Sequence, residues 1–253
     1  MTEAGQRTFS LLCPTRGRPD RVRRLVESVE QSATFPGRVE VVFYVDNDDR
    51  SLTEYAEFFA AAQSRYPRLM RIMSVTGDPK SVSLSWNDIA RESAGGILLM
   101  ANDDQVYGHT GWDVRLDEEI LKFPDEVYCI WFNDGINGDT HCAFPIVSRR
   151  WYETVGYFTP GIFEFLFNDT WIMAVAQLLG RVHYVGDVTI EHLHHCVGKS
   201  PLDTTYKRQL SWYHRDADLF LRTDPIRRRD AALLLRVIKE AKARCETVRE
   251  EKA

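Results

Sequence analysis

The sequence predicts an α/β fold: a mainly parallel central sheet flanked by helices, with a helical C-terminal extension. Three observations predict it. Through the first half, β-branched and aromatic runs alternate with apolar stripes at helical spacing. Three of those runs stop abruptly on polar clusters, PTRGRP, DNDD and NDD. After Pro225 a single long stripe, Leu234, Ile238, Ala241, Cys245 and Val248, lies between charged ends.

Residues 8–13 (TFSLLC) form the first strand, stopped at Pro14. Pro19 opens a helix, the position where a fixed φ and a missing N–H are tolerated, and Val22, Leu25, Val26 and Val29 share one face. The second strand is 39–45 (VEVVFYV), and Tyr55, Phe58, Phe59 and Ala62 mark the second helix. A third strand at 69–75 and a helix at 84–93 follow; after Gly95-Gly96 comes the fourth strand, 97–101. Strands alternating with helices of about ten residues or more argue for βαβ units and hence for parallel pairing. The second half is less regular. Strands are expected at 127–132, 142–147, 181–186 and 188–194, and a helix at 170–179 carries Trp171, Ile172, Val175, Ala176 and Leu179. The simplest division is one domain over 1–222, its halves at 8–106 and 107–222, followed by a C-terminal helix over 223–253.

The chain has 253 residues, 44% of them hydrophobic and 27% charged, enough for a large core without staples. A net charge of −5 gives no global pull toward nucleic acid or anionic lipid. Five cysteines without a CxxC pair suit buried thiols rather than a disulfide framework. No apolar run approaches the ~18 residues of a membrane span, and MTEAGQRTFS lacks a signal-peptide core. The expected location is cytoplasmic.

In an open parallel sheet, ligands bind where the carboxyl ends of the strands meet loops, so three polar clusters at one edge would converge on one crevice. DNDDRSLTEYAEF is not a calcium loop: Ser51 stands where an EF-hand needs glycine, and a strand precedes it rather than a helix.

LLCPTRGRPDRVRRLVESV, VFYVDNDD and SWNDIARESAGGILLMANDD, in that order, resemble the nucleotide-sugar-binding half of GT-A fold glycosyltransferases of the family-2 type. The resemblance covers residues 8–106. It implies a GT-A fold and transfer of a sugar from a nucleotide-diphosphate donor, UDP favoured, to an acceptor hydroxyl, with inversion. It places Pro14, Thr15, Arg16, Arg18, Asp46, Asp48, Lys80, Asn87, Asn102 and Asp103 around the donor. Asn102-Asp103-Asp104 occupies the DxD position with an amide in place of the first acid, so Asp104 becomes the carboxylate for Mn²⁺ or Mg²⁺, hard cations suited to oxygen ligands. His192 or His194 resembles the late histidine that joins that metal. Asn168-Asp169 resembles the pair that supplies the base, making Asp169 the expected base and Glu164 the reserve; capping of the following helix is the structural alternative.

Other features stay open. A separate zinc site from His192, His194, Cys196 and His141 matches no common spacing. Trp86, Trp112 and Trp171 are sugar-stacking or core residues, with core favoured. Asp203 and Tyr206 lie in a loop able to close over the donor. Arg227-Arg228-Arg229 reads as the solvated start of a helix. A sugar-phosphate nucleotidyltransferase, or a non-catalytic nucleotide-sugar-binding protein, would share much of this pattern. The acceptor is open: a glycan, a protein, a metabolite or a modified DNA base.

Overall fold

The computed structural model describes residues 7–250, with side chains as far as 247; MTEAGQ and the Val248 side chain lie outside the described residues. Strands β1 (Phe9–Thr15), β2 (Val39–Asp46), β3 (Arg71–Gly77) and β4 (Ile97–Met100) alternate with helices α1 (Pro19–Ser32), α2 (Leu52–Arg65) and α3 (Val82–Glu92). The chain continues through β5 (Gln105–Tyr107), α4 (Trp112–Ile120), β6 (Cys129–Asn133), β7 (Ile146–Ser148), α5 (Arg149–Val155) and α6 (Asn168–Leu179). It ends with β8 (Val182–His192), α7 (Thr204–Ser211), α8 (Tyr213–Arg222) and α9 (Asp224–Glu250). No helix among the described residues is long and apolar enough to cross a membrane.

The sheet order is β3-β2-β1-β4-β7-β6-β8-β5. The first four strands are mutually parallel, and β7 runs antiparallel to both β4 and β6. Because β6 pairs parallel with β8, the carboxyl ends of β6 and β8 share an edge with those of β1, β2 and β4. The strand order reverses between β1 and β4, the switch point where open α/β sheets hold ligands.

Pleating sorts the core by alternate residues. Phe9, Leu11 and Cys13 of β1, Val41, Phe43 and Val45 of β2, and Ile97 and Leu99 of β4 pack on one face with α1 and α2. Leu12, Val42, Tyr44, Leu98 and Met100 pack on the other with α3, α6 and α9. Burial on both faces explains why these strands read as continuous apolar runs. The turn into β4 needs a glycine at Gly95 rather than Gly96. A methyl at Gly95 would sit 2.8 Å from the Ser10 backbone nitrogen, whereas one at Gly96 would meet only the Thr8 carbonyl at 4.0 Å.

Several sequence expectations need correction. The 142–147 segment is a strand only from Ile146, since Pro145 has no N–H to give the ladder. The pieces at 181–186 and 188–194 are one strand, β8, carried past Gly186 by a register shift opposite Phe132/Asn133. Cys13, Cys129 and Cys142 are buried, but Cys196 and Cys245 are exposed. Arg227 is not solvated: it is 6% exposed, its guanidinium lies 4.0 Å over the Phe220 ring, and it donates to the Phe220 carbonyl at 2.6 Å. Arg228 and Arg229 do remain on the surface.

Candidate active site

The switch point opens into a cavity of about 210 Å³. Of the residues singled out in the sequence, Pro14, Thr15, Arg16, Arg18, Asp46, Lys80, Asn102, Asp103, Asp104, Asp169, His192 and His194 line it. Asp48, Asn87 and Glu164 are not on its wall.

One corner joins the ends of β4 and β8. Leu193 N–H donates to the Asp104 carbonyl at 2.8 Å, and His192 N–H donates to the Asp134 carbonyl at 3.1 Å. This backbone pairing brings His192 Nε2 to 3.5 Å from Asp104 Oδ2, which also accepts from Tyr206 OH at 2.6 Å. Asp104 Oδ1 and both ring nitrogens of His192 are buried without a hydrogen-bond partner. Buried polar atoms are almost always satisfied, so an imidazole and a carboxylate oxygen left bare on one cavity wall fit a divalent cation bound by oxygen and nitrogen donors. Burial disfavours the charged imidazolium of His192, but Asp104 and Asp134 outweigh it and lift its pKa to about 9. Burial likewise opposes the Asp104 carboxylate, and His192 and Tyr206 reverse that, to about 2. Two carboxylates flanking one imidazole make the corner favourable for positive charge. His194 also faces the cavity, but its Nδ1 accepts from Cys196 N–H at 3.3 Å, and its ligand atom groups with those of His195 and Cys196 within 4.8 Å. Burial lowers its pKa to about 4, keeping it neutral. His192, not His194, is the histidine brought to Asp104, and the four-residue zinc set does not assemble.

Asp103 turns away from this corner. Its Oδ1 accepts from Arg18 at 2.8 Å and its Oδ2 from Thr15 Oγ1 at 2.8 Å. Arg18 gives two further hydrogen bonds to Asp203, at 2.8 and 2.9 Å, and stacks 4.3 Å over Tyr206. Asp203 also caps α7 by accepting from Tyr206 N–H at 3.0 Å. This lock fastens α7 over the β1 loop through residues that also line the cavity. Arg16 bridges Asp46 and Asp48 at 2.5 Å each, with Asp48 on the solvent side. Lys80 pairs with Asp88 at 2.6 Å and lies 4.9 Å over the Tyr44 ring.

Another part of the wall is the start of α6. Phe167 takes a left-handed φ of 65° to enter the helix, and Asn168 bonds Ser83 Oγ at 2.7 Å. Asp169 sits in the first turn, where the helix dipole favours negative charge. Its Oδ1 accepts from Thr170 N–H at 2.7 Å, and its Oδ2 meets His141 Nε2 at 3.0 Å. Glu164 lies off the cavity with its carboxylate 4.0 Å from Arg208. Asn87 shapes this region from behind: its Oδ1 accepts from Phe158 and Thr159 N–H at 2.9 and 3.0 Å, and its Nδ2 donates to the Thr159 carbonyl at 2.8 Å. Asn87→Ala strands all three backbone groups and is expected to cost about 2 kcal/mol in chemical denaturation.

Sequence reasoning missed Arg208, Gln209, Phe144 and Phe165 on the wall and Asp134 behind it, and it named His141 only as a zinc ligand, not as the partner of Asp169. Only Asp134 left a signal, the turn-forming Asn-Asp-Gly, where it accepts from Ile136 and Asn137 N–H at 3.0 and 2.7 Å. Trp112 and Trp171 are core residues; Trp86 faces the cavity while its Nε1 donates to the Leu12 carbonyl at 3.0 Å.

No family model and no curated protein sequence matches the chain. Solved structures do. The mannosyltransferase PcManGT from Pyrobaculum calidifontis, in complex with GDP-Man and Mn²⁺, superposes with a TM-score of 0.63 at 14% identity, covering 98% of this chain and 77% of that one. S. aureus TarS superposes with a TM-score of 0.58 at 13% identity over 73% of this chain. The chain spans only 36% of TarS. TarS 1–349 in complex with UDP-GlcNAc gives a TM-score of 0.55 at 14% identity, covering 73% of this chain and 58% of that one. These likenesses identify the fold as that of the GT-A glycosyltransferases.

Proposed function

We propose that this GT-A fold carries a divalent-metal-dependent glycosyltransferase that moves a sugar from a nucleotide-diphosphate donor, UDP favoured, to an acceptor hydroxyl with inversion. One observation carries the reading: the unsatisfied Asp104 Oδ1 and His192 ring share a switch-point cavity with Asp169. The neighbours' complexes with UDP-GlcNAc and with GDP-Man and Mn²⁺ support it.

Asp104 and His192 would hold Mn²⁺ or Mg²⁺. Bound there, the ion would neutralise the charge that develops on the diphosphate as it leaves. Asp134 lies on the other side of the ring, 3.8 Å from His192 Nδ1, and adds a second negative charge beside it. Arg16, Lys80 and Arg208 line the cavity and supply charge-assisted bonds to phosphate oxygens. Asp46, with Pro14 and Thr15, forms the nucleoside side. Asn102, also on the cavity wall, would offer a neutral oxygen.

Asp169 takes the proton from the acceptor hydroxyl. Four carboxylates line the cavity: Asp46, Asp103, Asp104 and Asp169. Asp46 is paired with an arginine, Asp103 with an arginine and a threonine, and Asp104 with the cation corner, whereas the partners of Asp169 are a histidine and the neighbouring Thr170. Among the described residues Asp169 is therefore the carboxylate of the wall with neither an arginine nor a cation to hold it, and a single base of this kind favours direct displacement and inversion.

Thermal melting of the native protein with nucleotide sugars and Mn²⁺ tests the reading. A donor at a hundredfold excess over its Kd is expected to stabilise by about 2.7 kcal/mol, a shift of several degrees. Stabilisation confined to nucleoside triphosphates would point to nucleotidyl transfer instead, and no shift with any nucleotide contradicts the proposal.

A further inference from the structure

His141 stands behind Asp169 and is not part of the cavity wall. It comes from the 133–145 loop, 28 residues away in sequence, and meets Asp169 Oδ2 through Nε2 at 3.0 Å. With Oδ1 held by Thr170 N–H and, at 3.2 Å, by Thr170 Oγ1, both oxygens of Asp169 are anchored. The carboxylate is thereby fixed in one orientation, with its remaining lone pairs for the cavity. The His141 side chain is 35% exposed and that of Asp169 is 26% exposed, so the imidazole exchanges protons with solvent while it touches the base.

We propose that His141 is a positioning residue for Asp169: its Nε2–H aims the carboxylate, and the charge on its ring sets how strongly Asp169 attracts the acceptor's proton. The inference rests on Asp169 acting as the base.

The charged groups acting on His141 are Asp169 from α6 and Asp134 from its own loop. The hydrogen bond to Asp169 raises the imidazole pKa above its ordinary value, against partial burial. The coupling is reciprocal. A proton on His141 places a positive charge against Asp169 Oδ2, 3.0 Å away, and a positive neighbour opposes transfer of a further proton to that carboxylate. Neutral His141 still donates its Nε2–H, so orientation is kept while basicity rises. In the transfer step the acceptor O–H bond breaks and its proton goes to Asp169. The oxygen bonds the anomeric carbon, and the electron pair of the breaking C–O bond leaves on the diphosphate. Asp169 then returns its proton to water.

The test is the pH profile of kcat for the native protein, His141→Gln and His141→Ala, with donor and Mn²⁺ saturating. Native kcat is expected to fall about tenfold per pH unit below a limb lying above the ordinary imidazole value of about 6.5. Gln keeps a donor but cannot titrate. It is expected to retain the alkaline plateau within about threefold and to lose that limb. Ala is expected to lose about tenfold or more in plateau kcat with little change in donor KM. An unmoved limb in His141→Gln overturns the proposal while leaving Asp169 as the base. No turnover by the native protein with any nucleotide sugar overturns the glycosyltransferase reading, and this inference with it.

Discussion

Asp104→Asn is expected to lower sugar transfer about a thousandfold at saturating Mn²⁺ while leaving the fold intact. The substitution changes charge with little change in shape. An amide oxygen at this position can still accept from Tyr206 OH, now 2.6 Å from Asp104 Oδ2, so α7 should stay docked. Lost is the negative charge of a carboxylate whose Oδ1 is buried without a hydrogen-bond partner. With a pKa near 2, Asp104 is ionised throughout the usable pH range, so the native protein always presents that charge. Removing one preorganised group that stabilises charge in a transition state typically costs about 10²–10³ in kcat, and here the affinity for the cation falls as well. Steady-state kinetics over a Mn²⁺ series, with circular dichroism to verify folding, would separate the two losses. Near-native kcat at any Mn²⁺ concentration would remove Asp104 from the site.

Asp169→Asn is expected to reduce transfer by about 10²–10⁴ with donor and Mn²⁺ affinities unchanged. Asn cannot accept a proton, yet its amide keeps an oxygen for Thr170 N–H. The cost to stability is the lost charge in the first turn of α6, about 0.3–1 kcal/mol, together with the charge of the hydrogen bond to His141. The split is the diagnostic: a base removed lowers kcat, whereas a group that merely shapes the cavity would raise KM. Equilibrium dialysis of donor and single-turnover transfer by the same variant would check it. Loss of donor affinity with kcat preserved would make Asp169 a structural residue of the helix start.

The sheet and its switch point were legible because buried parallel strands impose long apolar runs, and because each run had to stop on polar residues at the open edge. Helix α1 announced itself through Pro19 and its four-residue stripe. Helix α4 did not: it starts from a left-handed Gly111, and its WDVRLDEEI carries only a weak apolar face among charges. Strand β5 is three residues long, and nothing local separates it from the turn before it.

The site was legible as a list of residue types but not as a division of labour. Asp103 and Asp104 are neighbours in the chain, yet Arg18 and Thr15 claim one and His192 and Tyr206 the other. Asn87 sits on the expected helix, but its partners are backbone atoms of 158 and 159, far along the chain. His141 was noticed as a candidate zinc ligand; only the folded loop brings it to Asp169. Long-range pairings of this kind leave no periodicity to read.

The most direct test is mass-spectrometric detection of free sugar and nucleoside diphosphate from a panel of nucleotide sugars. Native protein and Asp104→Asn would be run side by side, each with Mn²⁺ and with excess chelator. The expected result is turnover of at least one donor by the native protein in Mn²⁺, lost on chelation and lost in Asp104→Asn. Turnover that survives both the chelator and the substitution, or no turnover of any donor, would contradict it.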